Sequence, residues 1–280
     1  MRTLKLQPDI IYGPVRSRRL NWSLGLNNLP FNYKLCSFNC VYCQYGWTPV
    51  CAIDVADRLD DFPTVSDFSA ELEAALRASR ETINNITFSG NGEPTLHPRF
   101  EEMVDIARKL RDEYFPEARI GILSNSSTVA VDQVQRGLAK LDFRIMKLDV
   151  GSEEAFRSIN RPCPGVDYQA IVHGLKSLAG VTLQAMFVAG KLQNSDDAAV
   201  SEWIERVGEI KPLTVQIYSL HRPPAASSLA EVPRERLEEI AARTEAATGV
   251  TVDVIVAARP FSKRYNNPNA VARRKRAQSS

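Results

Sequence analysis

The sequence lacks an apolar run of membrane-spanning length, a leader-like apolar core at its start and an even complement of cysteines. The first absence argues against a helix that crosses a bilayer. Residues 1–9 are interrupted by Arg2, Lys5 and Asp9 where a leader would be apolar. Five cysteines, three of them inside eight residues, do not pair off as a disulfide framework. They suit a reducing compartment in which thiols stay free. The expectation is a soluble cytoplasmic protein with no membrane partner. Histidine is scarce as well: His97, His173 and His221 all lie far along the chain from the cysteine triplet. The two ligand pairs of a closed structural zinc site are therefore missing. Nor does a fourth cysteine followed by proline close the run soon after Cys43, as it does in a ferredoxin.

What the sequence does have is Cys36-Ser37-Phe38-Asn39-Cys40-Val41-Tyr42-Cys43, a C-x3-C-x2-C run with an aromatic before the third cysteine. Thiolates are soft ligands, and iron–sulfur clusters are built on them. Three of them on a four-iron cube leave one iron free to bind a small molecule and pass it an electron. Cys36, Cys40 and Cys43 are the candidate metal ligands. Cys51 and Cys163 stand apart. Cys163, between Pro162 and Pro164, reads as a loop thiol with three open roles: hydrogen donor to a substrate radical, ligand of something else, or inert cysteine.

With 280 residues the chain can bury a sizeable core. Its net charge of +2 divides unevenly: residues 1–20 hold five Lys/Arg against Asp9 alone, and residues 259–280 hold seven with no acid. Basic ends on an acidic body suggest either a phosphate-bearing partner or solvated chain ends. Residues 12–22 read as a guanidinium-rich loop and 23–29 as a first strand, with loop again over 45–65. A helix follows over 66–79. From there strands and helices alternate: strand 83–88, helix 98–114, strand 119–123, helix 131–140, strand 143–148, helices 153–159 and 167–179, strand 181–188, helix 196–209, strand 213–218, helix 233–247 and strand 250–256. Such alternation predicts parallel βαβ units in one sheet, with six units before the tail. Polar and glycine-rich clusters follow Leu29, Phe88, Leu123 and Leu148, at the C-terminal strand ends where parallel barrels build their sites. The predicted organisation is a basic N-terminal segment (1–22), an α/β barrel domain (23–258) and a basic tail (259–280).

The cysteine run together with Ser89-Gly90-Asn91-Gly92-Glu93-Pro94 resembles the radical S-adenosylmethionine (radical SAM) superfamily. The resemblance implies a partial (βα)6 TIM-like barrel, a single 4Fe–4S cluster on the three cysteines, and S-adenosylmethionine cleaved to a 5′-deoxyadenosyl radical. An external one-electron donor of flavodoxin or ferredoxin type would supply the electron. It implies that Tyr42 meets the adenine and that Gly90, Asn91, Gly92 and Glu93 receive the methionyl ammonium, with Asn91 where the simplest motif has glycine. Ser124 and Asn125 would contact the methionyl or ribose part, and Asp149 the ribose. Lys147 has three readings: neutralising the methionyl carboxylate, forming a Schiff base with a carbonyl substrate, or pairing with Asp149 and doing no chemistry. Arg161 is a further carboxylate binder, and Gln216 with Tyr218 lines either the adenine side or the barrel. Gly13-Pro14-Val15-Arg16-Ser17-Arg18-Arg19, Ile159-Asn160-Arg161-Pro162 and Arg222-Pro223-Pro224 are similar to the branch related to the wyosine-building tRNA enzymes. Those enzymes carry three further N-terminal cysteines, and none precedes Cys36 here. The expected function is thus a radical SAM enzyme with an unassigned substrate. A wyosine-type tRNA-modifying enzyme is the alternative, and a non-catalytic cluster- or zinc-binding nucleic-acid module using Arg273-Arg274-Lys275-Arg276 is the third.

Overall fold

A computed structural model of the chain describes residues 3–17 and 21–256. The tail over 259–280 and the pair Arg18-Arg19 lie outside the described residues. Strand β1 (Ile11–Ser17) runs antiparallel to β2 (Asn21–Leu26). Two short strands, β3 (Leu35–Cys36) and β4 (Val50–Cys51), pair with each other in parallel. The main run continues through β5 (Asn85–Phe88), β6 (Arg119–Ser124), β7 (Phe143–Lys147) and β8 (Val181–Met186). A three-residue β9 (Val188–Gly190) then leaves the sheet, β10 (Thr214–Tyr218) returns to it, β11 (Leu229–Glu231) pairs with β9, and β12 (Val252–Val254) closes the series. Across the eight-stranded main sheet the order is β1-β2-β5-β6-β7-β8-β10-β12. Every neighbouring pair from β2 onward is parallel. The expected partial barrel is therefore present, with β12 as a short strand beyond the sixth unit.

The helices form where apolar spacing and capping agree. In α1 (Val65–Ala78) Phe68, Leu72 and Leu76 recur every fourth residue and are buried, and the Thr64 side chain accepts from the Asp67 amide at the N-terminus. The cap thus falls on Thr64, just ahead of the Ser66-Asp67 pair. In α2 (Phe100–Tyr114) Phe100, Met103, Ala107 and Leu110 supply the inward stripe. Then come α3 (Asp132–Ala139), α4 (Glu153–Ile159) and α5 (Tyr168–Ser177). Helix α6 (Asp197–Ile210) sends the fully buried Trp203 against the sheet, where its indole N–H donates to the Leu148 carbonyl at 2.8 Å. Helix α7 (Arg234–Thr248) is the last. Because helices cover the sheet, β5 is buried at all four positions.

One expectation fails. Residues 11–17 are a strand of the main sheet and not part of a guanidinium-rich loop. The Gly13-Pro14 pair falls at the register shift between Tyr12 and Val15, an edge-strand bulge where proline costs no ladder bond. Among the described residues no helix is long and apolar enough to cross a membrane.

Candidate functional site

The C-terminal ends of β2, β5, β6 and β7 gather the cysteine run, the glycine turn and two polar clusters. The turn after β5 is bolted to the start of the cysteine loop. Leu35 N donates to Asn91 O at 3.0 Å, and Glu93 N donates to Leu35 O at 3.1 Å. Gly92 has φ +149°, and a Cβ there would sit 1.6 Å from the Leu35 carbonyl oxygen, so only glycine allows this approach. The far side of the loop rests on residues 159–163. Val41 N donates to Ile159 O (3.0 Å), Asn39 N to Arg161 O (3.0 Å) and Cys163 N to Ser37 O (2.9 Å). All five cysteines are free thiols.

Each thiol of the triplet receives a nitrogen donor. Lys34 Nζ reaches Cys43 Sγ at 3.1 Å, Asn125 Nδ2 reaches Cys36 Sγ at 3.4 Å, and Asn160 Nδ2 reaches Cys40 Sγ at 3.6 Å. Burial pushes the Cys36 thiol up and the Cys40 thiol up to about 12. Among the described residues no three Cys, His, Asp or Glu side chains converge to hold a single metal ion. A cluster asks less convergence, since it presents a different iron to each thiolate.

Glu93 is buried and fully engaged. Its Oε1 accepts from Thr95 N (3.1 Å), Thr95 Oγ1 (2.6 Å) and Ser124 Oγ (2.9 Å), and its Oε2 from Asn125 N (2.5 Å). Burial still holds its carboxyl above the usual range against these donors. A carboxylate held by neutral donors alone suits an incoming cation. Asn91 faces elsewhere: its amide nitrogen donates to Gln7 O and Pro30 O, both at 2.9 Å, and its Oδ1 accepts from Gln7 N at 2.7 Å. Its side chain thus fastens the N-terminal segment, while Gly90 passes so close to Asn27 Oδ1 that a Cβ would come within 2.2 Å.

A second network surrounds Asp149, whose side chain is 0% exposed. It accepts from the Tyr42 hydroxyl, from Asn160 Nδ2 at 2.6 Å, from Met186 N at 2.7 Å and from Lys147 Nζ at 3.3 Å. Lys147 also donates to Tyr218 Oη at 3.1 Å, Tyr218 donates to Gln184 Oε1 at 3.0 Å, and Gln184 donates to Gln216 Oε1 at 3.3 Å. Burial works to lower the Lys147 pKa, but Asp149 and Tyr218 outweigh it and the net shift is upward. Of the three readings for Lys147, the geometry supplies the ion pair directly. The lowered amine pKa that favours a Schiff base is absent from this arrangement.

Arg161 and Cys163 sit outside both networks. Arg161 is exposed, in left-handed backbone (φ +48°), with its guanidinium 5.1 Å from the Trp47 ring centroid. The Cys163 thiol contacts that of Cys51, and burial together with Cys51 raises it to about 11. Lys34 and Asn160, like Gln184, were not assigned a role from sequence. Lys34, an isolated cation in Phe31-Asn32-Tyr33-Lys34-Leu35-Cys36, gave a signal in its position two residues before a ligand. Asn160 gave none beyond its place in the Ile159–Pro162 motif. Its Oδ1 is buried and has no partner, and it lines a small hollow with Phe38, Asn125, Lys147 and Asp149.

The site's glycine cradle, its cation-ready carboxylate, an orphaned amide oxygen on the residue that meets the Cys40 thiol, and the thiol triplet itself fit a cluster with a bound zwitterionic ligand. Comparison with known proteins agrees on the fold. The family model described as "Radical SAM superfamily" matches residues 33–200. A UPF0026 protein of Synechocystis sp. is 32% identical over 76% of this chain and 76% of its own length. The GTPase Obg of Brachyspira hyodysenteriae is 28% identical over 89% of this chain. The chain spans only 35% of that relative. A radical SAM methyltransferase structure from Sphaerobacter thermophilus superposes with a TM-score of 0.62 at 16% identity, covering 83% of this chain and 65% of the other. At that identity the likeness is one of fold.

Proposed function

The chain belongs to the radical SAM superfamily, and on that premise we propose that it is an enzyme that reductively cleaves S-adenosylmethionine to act on a substrate still to be identified. Cys36, Cys40 and Cys43 would hold one 4Fe–4S cluster. When bound, the cluster supplies the electron that breaks the sulfonium's carbon–sulfur bond and releases a 5′-deoxyadenosyl radical. The observation that carries the reading is the junction at Gly92. It joins a buried carboxylate, without a cationic partner among the described residues, to the backbone one residue ahead of the first cysteine. Glu93 would take the methionyl ammonium, with Ser124 and the Asn125 amide holding the carboxylate in place. Asp149 and Tyr42 would face the ribose and adenine, with Lys147 paired to Asp149. Gln216 acts through Gln184 and Tyr218, and Arg161 with Trp47 forms an outer rim for a carboxylate or a planar group.

The test is anaerobic reconstitution with iron and sulfide, then dithionite reduction with S-adenosylmethionine. The expected result is 5′-deoxyadenosine from the parent and none from Cys40→Ala. A fully loaded parent that yields none, with or without a cell extract as substrate source, overturns the reading. The wyosine-type tRNA alternative draws on the motifs that carry that resemblance and on the basic ends. Binding of tRNA that falls steeply with added salt would support it.

A further inference from the structure

We propose that Lys34, Asn125 and Asn160 form a donor set that raises the reduction potential of the bound cluster, with Lys34 as its dominant, charged member. The inference rests on the cluster reading above. The three donors come from separate parts of the chain: Lys34 just before β3, Asn125 just after β6 and Asn160 just after α4. They nevertheless reach one sulfur each, at 3.1, 3.4 and 3.6 Å. Lys34 differs from the two amides in carrying charge, and only 4% of it is exposed. Its Nζ has two polar partners, Cys43 Sγ and the Gly46 carbonyl, the latter at 3.1 Å. Neither is a carboxylate.

An ammonium buried without an acid is costly unless another negative charge stands nearby. Three thiolates carrying a cluster supply that charge, so the position of Lys34 makes sense only toward the loaded site. A cation and N–H donors at the sulfurs stabilise the reduced, more negative cluster over the oxidised one. The step affected is the transfer of one electron from a ferredoxin- or flavodoxin-class donor, in which no bond or proton changes hands. Asn125 and Asn160 have structural duties besides, since Asn125 N holds Glu93 and Asn160 holds Asp149. Lys34 reaches the site for the sulfur and one turn carbonyl, which makes it the cleanest member to test.

The experiment compares parent, Lys34→Met, Lys34→Gln and Lys34→Arg after anaerobic reconstitution. Iron and sulfide content is measured first, then the midpoint potential by equilibrium titration followed by electron paramagnetic resonance. The expected result is full loading, with Lys34→Met at the most negative potential, Lys34→Gln between, and Lys34→Arg close to the parent. A loaded Lys34→Met or Lys34→Gln protein at the parent's potential overturns the inference. Loss of the cluster from both uncharged variants also overturns it, because Lys34 would then hold the cluster and not tune it. A parent that takes up no cluster sinks the functional reading itself, and that outcome is seen before any variant is compared.

Discussion

His97 shows how one buried side chain makes stability depend on pH. Its Nε2 lies 3.1 Å from the Pro63 carbonyl, and its Nδ1 accepts from Arg99 N at 3.0 Å. Both nitrogens are therefore committed to the neutral tautomer with the proton on Nε2. Protonating Nδ1 would set one N–H against another, and burial already pushes the pKa down to about 4. The unfolded chain titrates near the ordinary value of about 6.5. Between the two values the unfolded state binds the extra proton and the folded state does not. The contribution of His97 is thus complete above about pH 6.5 and is lost as pH falls toward 4, at up to about 1.4 kcal/mol per pH unit. Denaturant unfolding at pH 7.5 and 4.5 should show a smaller drop for His97→Gln than for the parent, and equal drops would refute the assignment. At this scale the two stretches singled out in the sequence, the cysteine triplet and the Gly92-Glu93 turn, do lie side by side in the fold. The sequence was not readable where a role is made by distant partners. Asn160 becomes a node only because Cys40, Tyr42 and Asp149 converge on it.

Among the elements, the helices were legible to within a residue or two because their apolar stripes repeat and polar N-caps such as Asp167 and Asp196 start them. Strand β1 was not, since a bulge at Gly13-Pro14 breaks the alternation that marks a strand. The short β3 and β4 escaped as well: two residues have no period, and the pair is held by Ala52 N donating to the Cys36 carbonyl at 3.1 Å, next to the junction of the glycine turn with the ligand loop. That junction is a point of failure. Gly92→Ala must move the Leu35 carbonyl or distort a turn that needs positive φ. We expect a loss of about 2 kcal/mol or more in stability and a large fall in iron uptake, measured by unfolding and by metal analysis. A Gly92→Ala protein that loads like the parent would show that the turn does not set the ligand loop.

For the molecule as a whole, the proposed division sets a cluster-bearing barrel apart from a basic tail. Deleting 259–280 should leave cluster content and 5′-deoxyadenosine formation as in the parent, while any tRNA affinity loses much of its salt dependence. Loss of the cluster on deletion would assign the tail to the catalytic body. The ligand loop is walled by parts of the chain made at very different times. Cys43 is followed by 48 intervening residues before Gly92, and the remaining walls arrive with Asn125, with residues 159–163 and lastly with Ala226, whose amide donates to the Val41 carbonyl at 2.8 Å. On a ribosome the three thiols therefore emerge long before anything exists to shelter them. The shelter that the proposed cluster would use is complete only once the chain has been made as far as Ala226, which places its loading after synthesis of nearly the whole barrel.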